Sequence, residues 1–149
     1  MQFRNVTWAA ALALALLFVT QEAEAAVFTV CGSLDQTNAT ANLLYEQLAS
    51  HFPLGAPLCA KLAKVAVAAC NTGVSNAASC YHSAYGNAYK DLKLACTAAA
   101  DPAQCNADAK DALDTNLSSV DSLASDGHML CGTTFLTDFM DACENGLPM

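Results

Sequence analysis

The chain has 149 residues, 54% of them hydrophobic, and a formal net charge of −8. That apolar content is too high for a disordered chain. An acid excess this large lacks the basic footprint that nucleic acid or an anionic membrane surface requires, so neither is expected as a partner.

Residues 1–25 read as a secretory signal. Arg4 gives a positive start, and Trp8 to Val19 is an apolar run too short to span a bilayer. Ala23-Glu24-Ala25 is a small-x-small cleavage site. The Asn5-Val6-Thr7 sequon falls in the removed piece. The expected organisation is a signal peptide over 1–25 and a single helical disulfide-rich domain over 26–149, secreted and extracellular, with no membrane span. Export and an even cysteine count predict four disulfides from Cys31, Cys59, Cys70, Cys80, Cys96, Cys105, Cys131 and Cys143.

Ala26 to Cys31 is a short apolar lead-in with no partner strand later, and reads as an extended arm held by Cys31. Ser33 to His51 reads as a first helix with Leu43, Leu44, Tyr45 and Leu48 on its apolar side. Phe52-Pro53 ends it, because the residue before proline is pushed out of the helical region. Pro53 to Pro57 is a loop.

From Leu58 to Cys70 the residues Leu58, Leu62, Val65, Ala66, Ala69 and Cys70 recur at helical spacing, with Lys61 and Lys64 on the other side. Pro57 suits a first helical turn, and Gly73 is a candidate stop. A separate helix is expected from about Asn76 to Ala99, striped by Ala77, Cys80, Ala84, Ala88, Leu92 and Cys96. Gly86 inside it costs about 1 kcal/mol relative to alanine and invites a kink.

Asp101-Pro102-Ala103-Gln104 reads as a helix start: Asp101 caps, Pro102 fits the first turn, and Gln104 can reach back as in a capping box. Asp101 to Asp126 is strongly amphipathic. Cys105, Ala109, Ala112, Leu113, Leu117, Val120, Leu123 and Ala124 fall on one side, and Asp101, Asp108, Asp111, Asp114, Asp121 and Asp126 on the other. Gly127 is the expected stop. Asn116 projects among the apolar positions, which predicts a break near Asp114-Thr115. Thr134 to Glu144 reads as a last helix with Phe135, Phe139, Met140 and Cys143 inward, ended by Asn145-Gly146 and Pro148. The fold class is therefore all-α: a compact disulfide-bridged bundle of about five helices.

Short turns between antiparallel helices would bring Cys70 to Cys80 and Cys96 to Cys105. The alternative is a long-range weave joining Cys31, Cys131 and Cys143 to the central five; eight cysteines leave the choice open. Charge is uneven. Residues 26–96 hold three acids against four lysines, whereas residues 97–149 hold nine acids against Lys110 alone.

The aspartate row does not converge as calcium requires and contains no Asp-x-Asx-x-Asx-Gly loop, so it reads as a solvated face. His51, His82 and His128 show no metal-ligand spacing, and the cysteines are assigned to disulfides rather than zinc. No metal or other cofactor is expected. The serines lack a Gly-x-Ser-x-Gly context, so serine catalysis is not expected. Asn38-Ala39-Thr40 and Asn116-Leu117-Ser118 are glycosylation sequons, with Asn38 the better exposed and Asn116 on the apolar face.

Cys80-Tyr81-His82-Ser83-Ala84-Tyr85-Gly86-Asn87 distantly resembles the active helix of secreted phospholipases A2. That family follows its catalytic histidine with a calcium-binding aspartate; here Ser83 follows His82, and no glycine-rich calcium loop precedes it. The Cys31–Cys59 segment is loosely similar to the first helix of elicitins, which are helical sterol carriers, but elicitins have six cysteines at other spacings and lack histidine. Insect odorant-binding proteins are also helical and bridged, but their three-residue spacing between cysteines is absent here.

These features predict a secreted, non-enzymatic protein that encloses a small hydrophobic ligand such as a fatty acid, sterol or other lipid. Leu44, Leu48, Leu62, Val65, Leu113, Leu117 and Val120 are the expected lining. The alternative is a secreted interaction, structural or effector protein that binds an extracellular protein partner and no small ligand. A degenerate phospholipase A2-like enzyme is a third reading.

Overall fold

The computed structural model describes Cys31 and residues 39–147. Residues 1–30 and 32–38, which carry the expected signal peptide, the Ala26 lead-in, Asn38 and the start of the first expected helix, lie outside the described residues. Residues 39–147 belong to one unit, and every element in it is helical: α1 (Ala39–Ala49), α2 (Ala56–Cys96), α3 (Pro102–Gly132) and α4 (Thr134–Asn145). No helix among the described residues is long and apolar enough to cross a membrane.

Four helices are found among the described residues rather than about five, because the two expected over Leu58–Cys70 and Asn76–Ala99 are one element of 41 residues. Gly73 does not stop it. A glycine ends a helix by turning left-handed, and among the described residues Gly146 alone has a positive φ. Asn71 and Thr72 donate their side-chain hydrogen bonds back to Val67 and Ala68 carbonyls, so the local polar groups are satisfied inside the helix. The helix also runs through Gly86.

The same correction applies to α3. It continues through Asp114-Thr115 and past Gly127, which is buried within it, to Gly132. Its start is as expected: Asp101 Oδ1 accepts from the Ala103 and Gln104 amides at 3.1 and 3.0 Å, and Pro102 occupies the first turn. Gln104 does not close a capping box; its amide donates to Asp108 at 2.7 Å instead. Helix α1 ends at Ala49, ahead of Phe52-Pro53. Helix α4 ends on Gly146, at φ 84°, whose amide donates to Ala142 at 2.9 Å.

Three bridges fix the arrangement: Cys59–Cys143, Cys70–Cys131 and Cys96–Cys105. Cys31 and Cys80 are disulfide-bonded as well, and no described cysteine is free. The Cys96–Cys105 expectation holds. The Cys70–Cys80 expectation fails, because ten residues of one continuous helix hold those sulfurs about 15 Å apart. Cys70 reaches Cys131 instead, and Cys59 reaches Cys143, as in the long-range weave.

These bridges set the register of α2 against α3. From Cys70 to Cys96 the chain advances 26 positions (96 − 70), and from Cys131 to Cys105 it retreats 26 (131 − 105). The two helices therefore run antiparallel in constant register over about 39 Å. In this register the buried residues Cys70, Val74, Tyr81 and Cys96 of α2 lie along the buried residues Ala109, Val120, Ala124, Gly127 and Cys131 of α3, while Cys59 and Ala63 of α2 lie beside α4. Most of these side chains are small, which lets the helix backbones approach closely. Asn116 sits half-buried at the seam, so α3 accommodates it without a break.

The larger side chains gather at the open end of this hairpin. Phe139, 1% exposed, stands edge-on to Tyr45 and Phe52 at 6.0 Å from each and lies 6.2 Å from Phe135. Leu44, Leu48, Leu62 and Leu136 pack around this cluster. The Leu54 amide donates to the Cys143 carbonyl at 2.7 Å and ties the loop before α2 to α4.

Candidate functional site

The seven residues expected to line a cavity do not converge. Leu44, Leu48 and Leu62 are half-buried against the aromatic core. Val120 is buried on the α2–α3 seam, and Leu113 and Leu117 are half-buried farther along α3. Val65 is 57% exposed, and Leu58 and Leu43 are exposed too. The sequence stripe misplaced the inward face of α2 by one position, because Cys59 and Cys70 turn the alanine row inward and leave Leu58 and Val65 on the flank.

An open, largely apolar space among the described residues lies elsewhere, between α2 and α4. It is an open groove of ≈ 640 Å³ lined by Ala60, Ala63, Lys64, Val67, Ala68, Asn71, Leu136 and Met140. It exists because α2 offers mainly alanines along this side, so Leu136 and Met140 of α4 meet a shallow wall. From Ala60 to Asn71 the groove follows α2 for about 16 Å. Lys64 and Asn71 are its polar residues. Sequence reasoning missed it because alanines at helical spacing read as ordinary packing, and the position of α4 depends on the Cys59–Cys143 bridge.

Beyond Asn71, polar side chains join α2 to α3. Asn71 donates its amide to the Val67 carbonyl at 3.0 Å and presents Oδ1 to His128 Nδ1 at 2.7 Å. His128 Nε2 lies 3.4 Å from Ser75 Oγ. Seven positions farther along α2, His82 Nε2 meets Asp121 Oδ1 at 2.8 Å. The His82–Asp121 pair is largely solvated, with side chains 40% and 68% exposed.

The acidic row of α3 faces water, with Asp108, Asp111, Asp114, Asp121 and Asp126 all exposed. Lys110 pairs with Asp114 one turn on, at 2.8 and 2.6 Å, and that hydrogen bond holds its ammonium above the usual lysine pKa. Among the described residues no three His, Cys, Asp or Glu side chains gather as metal ligands. Asn116, the second sequon, is half-buried.

No protein-family model, curated protein or solved structure matches the chain.

Proposed function

We propose that this chain is a secreted, disulfide-stapled helical protein that binds a single apolar chain, such as a fatty acyl group, in the groove between α2 and α4. The observation that carries the reading is the groove itself: an open, largely apolar trough of ≈ 640 Å³ bounded by Ala63, Val67, Ala68, Leu136 and Met140. The Cys59–Cys143 and Cys70–Cys131 bridges support it, because they hold α2 against the elements flanking the groove whether or not a ligand fills it. Each methylene buried there contributes about 0.8 kcal/mol, so affinity rises with chain length until the groove is full.

Native mass spectrometry of the secreted protein tests this, followed by titration with a fatty-acid series and a sterol probe. The reading expects a co-purifying acyl lipid, a steep rise in affinity with chain length, and loss of binding in Ala68→Trp, an exposed position where the larger ring fills the groove. A clean apo mass with flat, weak binding unchanged in Ala68→Trp refutes it. That result would favour a secreted interaction protein, a reading supported by the exposed aspartates along α3.

A further inference from the structure

We propose that Ser75 is a nucleophile activated by His128, and that it accepts acyl groups from esters whose acyl chain lies in the α2–α4 groove. The groove part of this statement rests on the function proposed above; the nucleophile stands on its own geometry.

The hydrogen bonds fix the ring's proton. Asn71 Nδ2 donates to the Val67 carbonyl at 3.0 Å, which settles the orientation of its amide. Its Oδ1, 2.7 Å from His128 Nδ1, must then accept from that nitrogen, so the neutral imidazole carries its hydrogen on Nδ1. Nε2 is left as an acceptor 3.4 Å from Ser75 Oγ, and the serine hydroxyl donates to it. A nucleophile, a base and a group that orients the base thus stand in series. Ser75 is exposed and His128 half-buried, so an ester can reach Oγ while the imidazole is partly shielded. Asn71 also borders the groove. Ser75 follows Asn71 by four residues on the same face of α2, about 6 Å along the axis. An acyl chain running from Ala60 towards Asn71 brings its carbonyl to the serine.

The step balances without a co-reactant. Ser75 Oγ bonds to the carbonyl carbon while His128 Nε2 takes the hydroxyl proton. The bond to the alcohol oxygen breaks, and Nε2 returns that proton to the departing alkoxide. The products are acyl-Ser75 and a free alcohol. Water attacking by the same route releases the fatty acid. The Ser75 amide lies within α2, where backbone donors are taken by the helix, and Asn71 brings no negative charge to the imidazolium. Turnover is therefore slow, and the acyl-serine accumulates.

The test mixes the full-length secreted protein with p-nitrophenyl acetate and p-nitrophenyl decanoate, following the nitrophenol burst and mapping the adduct by peptide mass spectrometry. The expected result is one acyl group on Ser75, absent in Ser75→Ala. His128→Gln should slow the burst about 100-fold or more. Cys70–Cys131 lies three residues from His128 and keeps the helices paired in that variant, which circular dichroism verifies. In wild type, which requires no variant to fold, the burst amounts to one nitrophenol per chain and matches the acyl group found on Ser75. A burst unchanged in Ser75→Ala, or acyl groups on lysines with none on Ser75, overturns the proposal. Labelling of Ser75 at equal rates by acetate and decanoate supports the nucleophile and counts against the groove alone.

Discussion

Removing the Cys70–Cys131 bridge should cost more stability than removing Cys96–Cys105. A bridge stabilises chiefly by restricting the unfolded chain, and the loss grows with the loop it closes. Cys70–Cys131 spans a sequence separation of 61 and Cys96–Cys105 one of 9. The loop-entropy relation gives about 4.3 kcal/mol for the first and about 2.6 kcal/mol for the second. With Cys59–Cys143 intact the shorter circuit runs from Cys70 to Cys59 and from Cys143 back to Cys131, 11 and 12 positions, which lowers the first figure to about 3.4 kcal/mol. Cys70 and Cys131 are also buried, at 0% and 1% exposure, inside the main core, so their loss removes packing as well. The assay is urea denaturation of Cys70→Ala/Cys131→Ala and of Cys96→Ala/Cys105→Ala, followed by circular dichroism. An equal cost for both pairs, or a larger cost for Cys96–Cys105, would refute the argument.

Phe139→Ala should lose about 3–5 kcal/mol, since it empties the centre of the Tyr45–Phe52–Phe135 cluster; thermal unfolding measures it, and a loss below 1 kcal/mol contradicts the packing. Asp101→Ala should cost about 1 kcal/mol by removing both amide bonds at the start of α3, whereas Asp101→Asn should recover most of it. A double-mutant cycle on His82 and Asp121 should give a coupling below about 1 kcal/mol that shrinks in salt, because both groups are well solvated. Intact coupling at high salt would show that the pair is more shielded than its exposure indicates.

The all-helical class was legible because the apolar periodicity survives along every described segment, and the start of α3 and the end of α4 were announced by Asp101-Pro102 and Asn145-Gly146. The continuity of α2 was not. Gly73 carries the same local signal as a terminating glycine, and what keeps it helical is the tertiary seam with α3 and the Cys70–Cys131 bridge, neither of which is local. The inward turn of Cys59 and Cys70 left Val65 exposed, and the seam drew Gly127 into a helix interior. The groove was illegible for a related reason: Ala60, Ala63 and Ala68 acquire meaning only once α4 lies beside them. The contact of Asn71 and His128 joins residues 57 positions apart, so no motif search of neighbouring residues could find it.

Photo-crosslinking with a diazirine-bearing long-chain fatty acid, read by peptide mass spectrometry, tests the proposed ligand site most directly. The account predicts saturable labelling on Val67, Ala68, Leu136 or Met140, displaced by unlabelled fatty acid and lost in Ala68→Trp. Saturable labelling on Leu44, Leu48 or Leu62 instead, or no displaceable labelling, would contradict it.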